Sequence, residues 1–254
     1  MESLSSPFLD LFRRGDAPVD VRLAAAQGRS APRPLEQLAI LAILTRDADA
    51  DVRQTAETTL SRIPVEGLAG FLARSEVPEE LRTFFTERGV VIATTPAPER
   101  TDPFIDEDDE DFDESEPEDE ASMLQKLANM TVPQKVKAAM KGTREMRAVL
   151  IRDPNKLVSL SVLSSPKVTD TEVEAFARMG SVAEDVLRTI ARRRAWMKNY
   201  GVMLALAKNA KTPVAVSMTL LPRLNDGDAK RLSTDRNVPE PLRIAARKRV
   251  VIGG

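Results

Sequence analysis

Apolar residues fall in short blocks at helical spacing, separated by breaks rich in Gly, Pro and polar side chains. The pattern predicts helices at about 7–13, 18–27, 33–45, 50–62, 65–73 and 78–88. A second series follows at about 121–129, 132–141, 143–152, 155–164, 170–179, 182–194, 199–208, 213–221, 226–233 and 239–250. Thr131 with Gln134, Thr169 with Glu172 and Ser181 with Glu184 have capping-box spacing, in which a hydroxyl takes a free first-turn N–H and the acid or amide reaches back. Gly28, Gly89, Gly142 and Gly180 stand where helices should stop, and Pro18, Pro78, Pro133, Pro213 and Pro239 near where they should start. A helix content of roughly 60–70% is implied, about twice the globular norm, and a strand-rich reading has little support.

The helices are not independent of one another. Val77-Pro-Glu-Glu-Leu-Arg82 recurs as Val238-Pro-Glu-Pro-Leu-Arg243 and more loosely as Val182-Ala-Glu-Asp-Val-Leu-Arg188. Asp16-Ala-Pro-Val-Asp-Val-Arg22 pairs with Asp49-Ala-Asp-Val-Arg53, and the stretch at 160–173 returns at 204–216, displaced by 44 residues. That displacement is close to the period of helix-pair repeats, about 40–47 residues. With these residues in view, segments 21–29 and 52–64 resemble HEAT-type helical repeats, and 146–178 and 203–213 resemble HEAT-like or leucine-rich-variant α-solenoid segments of bacterial proteins. The resemblance implies an all-α fold of two α-α superhelical arrays, a binding or scaffolding surface rather than a reaction, and a structural role for Arg22 and Arg53 in tying neighbouring repeats.

Charge divides the chain. Residues 1–101 carry 12 basic and 15 acidic groups, 102–120 carry 13 acidic and no basic groups, and 121–254 carry 25 basic and 11 acidic. The acidic stretch repels itself and holds too few apolar residues to offset the entropy of ordering, so a disordered linker is expected at 90–120, between helical domains at 1–89 and 121–254. As a flexible coil it would span about 30 Å.

Composition then removes much of enzymology. With no His and no Cys, the chain cannot form a Ser-His-Asp triad, an imidazole metal site, a thiolate nucleophile or a disulfide. No phosphate loop, dinucleotide fingerprint, nucleophile elbow or calcium loop is present. The expectation is a non-enzymatic chain with no cofactor and no metal. No stretch approaches the roughly 18 apolar residues of a spanning helix, and the first residues lack a basic segment ahead of an apolar run. No membrane insertion and a cytoplasmic location follow as expectations.

Two candidate surfaces remain. Arg192, Arg193, Arg194, Trp196, Lys198 and Tyr200 place basic groups beside the chain's single Trp and single Tyr. Such a cluster suits an interface hot spot or phosphate contact with base stacking. Its bland counterpart is arginines at a helix C-terminus and aromatics filling a gap between helices. Phe104, Ile105 and Phe112 are apolar anchors within the acidic stretch, which could lie on the basic domain in place of nucleic acid. The function expected is a helical-repeat adaptor or scaffold for an unidentified protein partner. The alternative is nucleic-acid or polyanion binding by the basic domain, modulated by the acidic linker.

Overall fold

A computed structural model describes residues 7–29, 33–100, 102–105 and 120–252. Among these residues there are sixteen α-helices and no strand: α1 (Pro7–Arg14), α2 (Val19–Ala26), α3 (Pro34–Leu44), α4 (Ala50–Ser61), α5 (Val65–Leu72), α6 (Glu79–Thr86), α7 (Glu120–Asn129), α8 (Val132–Lys141), α9 (Arg144–Leu150), α10 (Lys156–Val162), α11 (Asp170–Arg178), α12 (Glu184–Arg192), α13 (Tyr200–Lys208), α14 (Val214–Leu220), α15 (Asp226–Thr234) and α16 (Glu240–Ile252). Short 3-10 turns follow α12 and α14 at Trp196–Lys198 and Leu221–Arg223. Each predicted helix is present, with ends shifted by a few residues. Among the described residues no helix is long and apolar enough to cross a membrane.

Two compact units emerge, Met1–Thr143 with Ser164–Pro166, and Arg144–Leu163 with Lys167–Gly254. The division therefore does not fall at residue 121, where the charge changes sign. Helix α8 buries Val136, Ala138, Ala139 and Met140 and packs against α2, and burial of apolar surface rather than surface charge defines a unit.

Unit 1 is built around α3, which packs on α1, α2, α4 and α6. Its run PLEQLAILAIL buries residues all round the helix, as an element at the centre of a core must. Arg22 on α2 pairs with Asp47 in the turn between α3 and α4, while Arg53 Nη1 donates to the Asp47 carbonyl at 2.6 Å and the Ala48 carbonyl at 2.9 Å. Unit 2 is a succession in which α9 packs on α10, α10 on α12, α11 on α12 and α13, α13 on α14, and α16 on α14 and α15.

The recurring Val-x-Glu motif has one local structure. Val77, Val182 and Val238 are buried, and the next residue, Pro78, Ala183 or Pro239, offers its carbonyl to the N–H groups three and four positions on. The Glu that opens each helix pairs with the Arg one turn later: Glu79 with Arg82, Glu184 with Arg188, Glu240 with Arg243. Arg82 does more. Its Nε donates to the Leu72 carbonyl at 3.0 Å and its Nη2 to the Arg74 carbonyl at 2.6 Å, satisfying the free C-terminal end of α5.

The capping boxes at Thr131 and Thr169 form, with Thr131 N–H donating to Gln134 Oε1 and Thr169 N–H to Glu172 Oε2, both at 2.9 Å. The box expected at Ser181 does not. Helix α12 starts three residues later, behind Ala183, and Glu184 is taken by Arg188. Gly142 likewise ends α8 without the left-handed turn, at φ −66°.

Residues 90–100 and 102–105, which composition assigns to a disordered linker, lie on unit 1 as an irregular segment with bends at 94–95, 102 and 104. Ala93 N–H donates to the Ala69 carbonyl at 3.2 Å, Ala97 N–H to the Gly70 carbonyl at 2.9 Å, and Arg74 Nη1 to the Pro98 carbonyl at 3.1 Å. Acidity misplaces this boundary because the unbroken charge run begins only at Asp106, whereas Pro103 and Ile105 are buried and Phe104 half-buried, with Phe104 against Phe71 and Ile105 against Gly28. Residues 106–119, with Phe112, lie outside the described residues.

Candidate functional site

The basic and aromatic cluster at 192–200 begins in the last turn of α12. Arg192 and Arg194 are exposed, and their position beside the α12 C-terminus suits the negative end of the helix dipole. The Arg193 guanidinium lies over the Trp196 ring, 4.4 Å from its centroid, and Trp196 itself is buried in the 3-10 turn between α12 and α13. Lys198 is exposed. Tyr200, the first residue of α13, donates its hydroxyl to Asp228 Oδ2 at 2.6 Å and accepts from Asn225 N–H at 3.1 Å. Burial and this bond to Asp228 push the Tyr200 phenol up, while Tyr200 first, then Asn225, hold the Asp228 carboxyl below its usual range against the opposing effect of burial.

Neither aromatic is therefore presented as a stacking surface. Trp196 fills the interior behind Arg193, and Tyr200 ties α13 to the start of α15. What the cluster does present is charge. Arg188, Arg192 and Arg223 line a groove of about 260 Å³ between α12 and α14, together with Met197, Val216 and Thr219. Arg223 is held there by its bond to the Met197 carbonyl at 2.7 Å.

A second constellation is on unit 1, centred on Gln37, which the sequence pattern did not single out. The signal was present: Gln37 is an amide in the first turn of α3, directly ahead of the apolar run at 38–44. Its side chain is 1% exposed and uses its whole hydrogen-bonding capacity. Nε2 donates to the Gly28 carbonyl at 3.1 Å and the Ile105 carbonyl at 2.6 Å, and Oε1 accepts the N–H of Phe104 at 2.6 Å and of Ile105 at 3.1 Å. An α-helix thus engages both the N–H and the C=O groups of a bent main chain through a single side chain.

The flanking surface is cut to the same segment. Phe104 meets Phe71 edge-on at 5.4 Å between centroids, with the Arg100 guanidinium 4.6 Å from the Phe104 centroid. Arg100 also folds its own segment, donating through Nε to the Asp102 carbonyl and through Nη2 to the Pro103 carbonyl, each at 2.9 Å. Gly28 has φ +86° and faces Ile105; a Cβ there would come within 3.1 Å of Ile105 Cγ2. A Cβ at Gly70 would come within 2.9 Å of the Ala97 methyl. Phe104 and Ile105, expected as anchors on the basic domain, are seated here instead, because Gln37 satisfies their main chain, Phe71 of α5 meets the Phe104 ring and Gly28 leaves room for the Ile105 side chain.

Chemistry-bearing groups are sparse elsewhere. Among the described residues, no group of three or more acidic, His or Cys side chains could hold a metal ion. Glu172 is engaged structurally, as Arg147 Nε donates to its Oε1 at 2.9 Å with both side chains almost fully buried. No protein-family model, no curated protein and no solved structure matches this chain.

Proposed function

We propose that this chain is a non-enzymatic, protein-binding adaptor of helical-repeat type, with HEAT-like helix pairs as its frame. The succession of helices in unit 2, each packing on its next or next-but-one neighbour, and the three copies of the Val-x-Glu helix start support the repeat reading. The observation that carries the binding reading is Gln37, which holds an irregular segment against helices by main-chain hydrogen bonds. The absence of His and Cys supports the non-enzymatic part. Affinity capture with the full chain in its native host, followed by cross-linking of the retained proteins, tests it. A protein retained in stoichiometric amount is expected, and a chain that retains none loses the reading.

Polyanion binding by residues 121–254 is the second reading. Its support is the excess of 25 basic over 11 acidic residues and the exposed Arg192, Arg194 and Lys198. Buried Trp196 leaves it an electrostatic interaction without stacking. Retention on nucleic acid that fails to weaken with salt would count against it.

A further inference from the structure

We propose that residues 97–100 and 102–105 are an internal ligand occupying a peptide-docking groove of unit 1. In trans, the groove takes a segment of a partner protein that bends in the same way and carries an aromatic residue followed by an aliphatic one. This deepens the adaptor reading and rests on it, naming one surface and the chemistry of its occupant.

Three observations carry the argument. Within the segment Gln37 bonds only to main-chain atoms, those of Phe104 and Ile105, and any chain that takes the same bend at these two positions offers the same N–H and C=O groups. Selectivity resides in what flanks that amide: an aromatic edge contact on Phe71 and an aliphatic seat against Gly28, where any side chain would crowd Ile105. The present occupant is also lightly held. Residues 90–100 and 102–105 form no helix or strand, and Val91, Thr94, Thr95, Pro96, Pro98 and Glu99 are exposed, so the segment has the properties of a low-stability opening unit.

Tethering explains why so light a segment stays bound. A linked ligand has an effective concentration of order millimolar, so even a weak intrinsic contact is filled, while a competitor of higher affinity displaces it. Release would uncover the apolar contact surface of Phe71 and leave Gln37 without partners for two of its four bonds at Oε1 and one at Nε2, so the emptied groove favours another chain in the same mode. The charge run starting at Asp106 cannot replace the occupant, because it lacks the apolar pair.

The test uses the full chain carrying Phe104→Ala and Ile105→Ala, and a fluorescent peptide spanning residues 97–108. Anisotropy should show saturable binding to the double variant and at least about tenfold weaker binding to the wild type, whose own segment competes. Adding Gln37→Ala to the double variant, or replacing both apolar residues in the peptide, should abolish it. No binding to a double variant with native circular dichroism, or equal binding to wild type, overturns the proposal. If the double variant does not fold, amide exchange on the wild type decides: saturating peptide should strip protection from the Phe104 and Ile105 N–H groups, and unchanged protection overturns it. Wild type that dimerises with concentration by exchanging 97–105 would also overturn it, in favour of a second copy as occupant. Should the peptide fail while a cross-linked partner is still captured equally by wild type and Gln37→Ala chains, only this groove is refuted and the adaptor reading stands.

Discussion

At the scale of single residues, buried polar groups with complete partners bear the most specific roles. Replacing Gln37 with Leu leaves the N–H groups of Phe104 and Ile105 and the carbonyl of Gly28 without their partner. At about 1–3 kcal/mol for an unsatisfied buried group, less where water enters, the expected loss is about 2–4 kcal/mol. Denaturant unfolding measures it, with faster exchange at 104 and 105 as the local signature. Glu172 behaves differently because it is charged. Burial raises its carboxyl, but Arg147 and Thr169 together outweigh that and hold it below the usual range. A depressed folded-state value means that the contribution is fully present above the unfolded carboxyl value, about 4.3, and is lost as pH falls through the lower folded value. Glu172→Gln removes the charge opposite the Arg147 guanidinium and should cost about 1–3 kcal/mol at neutral pH, the cost shrinking in acid. Stability curves of the two proteins against pH that run parallel into acid would contradict this.

At the scale of elements, helix positions were legible because propensity, spacing and end signals are local. All sixteen predicted helices occur, yet the caps divide into those that formed and those that did not. Thr169→Ala should cost about 1 kcal/mol, since its hydroxyl accepts the Glu172 N–H at 3.3 Å and donates to Oε2 at 2.9 Å. Ser181→Ala should stay within about 0.5 kcal/mol, because Ser181 is exposed and α12 begins beyond it. A thermal-shift comparison of the two separates a formed box from a spacing coincidence. The working caps at Asn155, Asn199 and Asn225 accept the N–H groups of Leu157, Gly201 and Asp228 at 2.7–2.9 Å, and they were not picked out because a lone Asn lacks the second half of the motif.

At the scale of the whole molecule, charge and packing give different partitions, and each governs a different property. If residues 121–254 bind a polyanion, changing Arg192, Arg194 and Lys198 to Glu should flatten the dependence of log affinity on log salt by about one per lost contact. A slope unchanged by the triple substitution would place binding elsewhere. Helical class, the number of helices, their repeated starts and the absence of imidazole and thiol chemistry were decided locally, by composition and by spacing within a few turns. The unit boundary, the burial of Trp196, the engagement of Tyr200 and the seating of 97–105 were not. The last two depend on residues far apart in the chain, since Tyr200 meets Asp228 across 28 positions and Gln37 meets Ile105 across 68. Acidity near Phe104 and Ile105 suggested a free linker, since composition averages over a window. Only the folded surface of α3 and α5 offers the amide, the aromatic edge and the missing Cβ that turn the end of that linker into a bound segment, because side-chain hydrogen bonds and apolar burial depend on proximity in space and not along the chain.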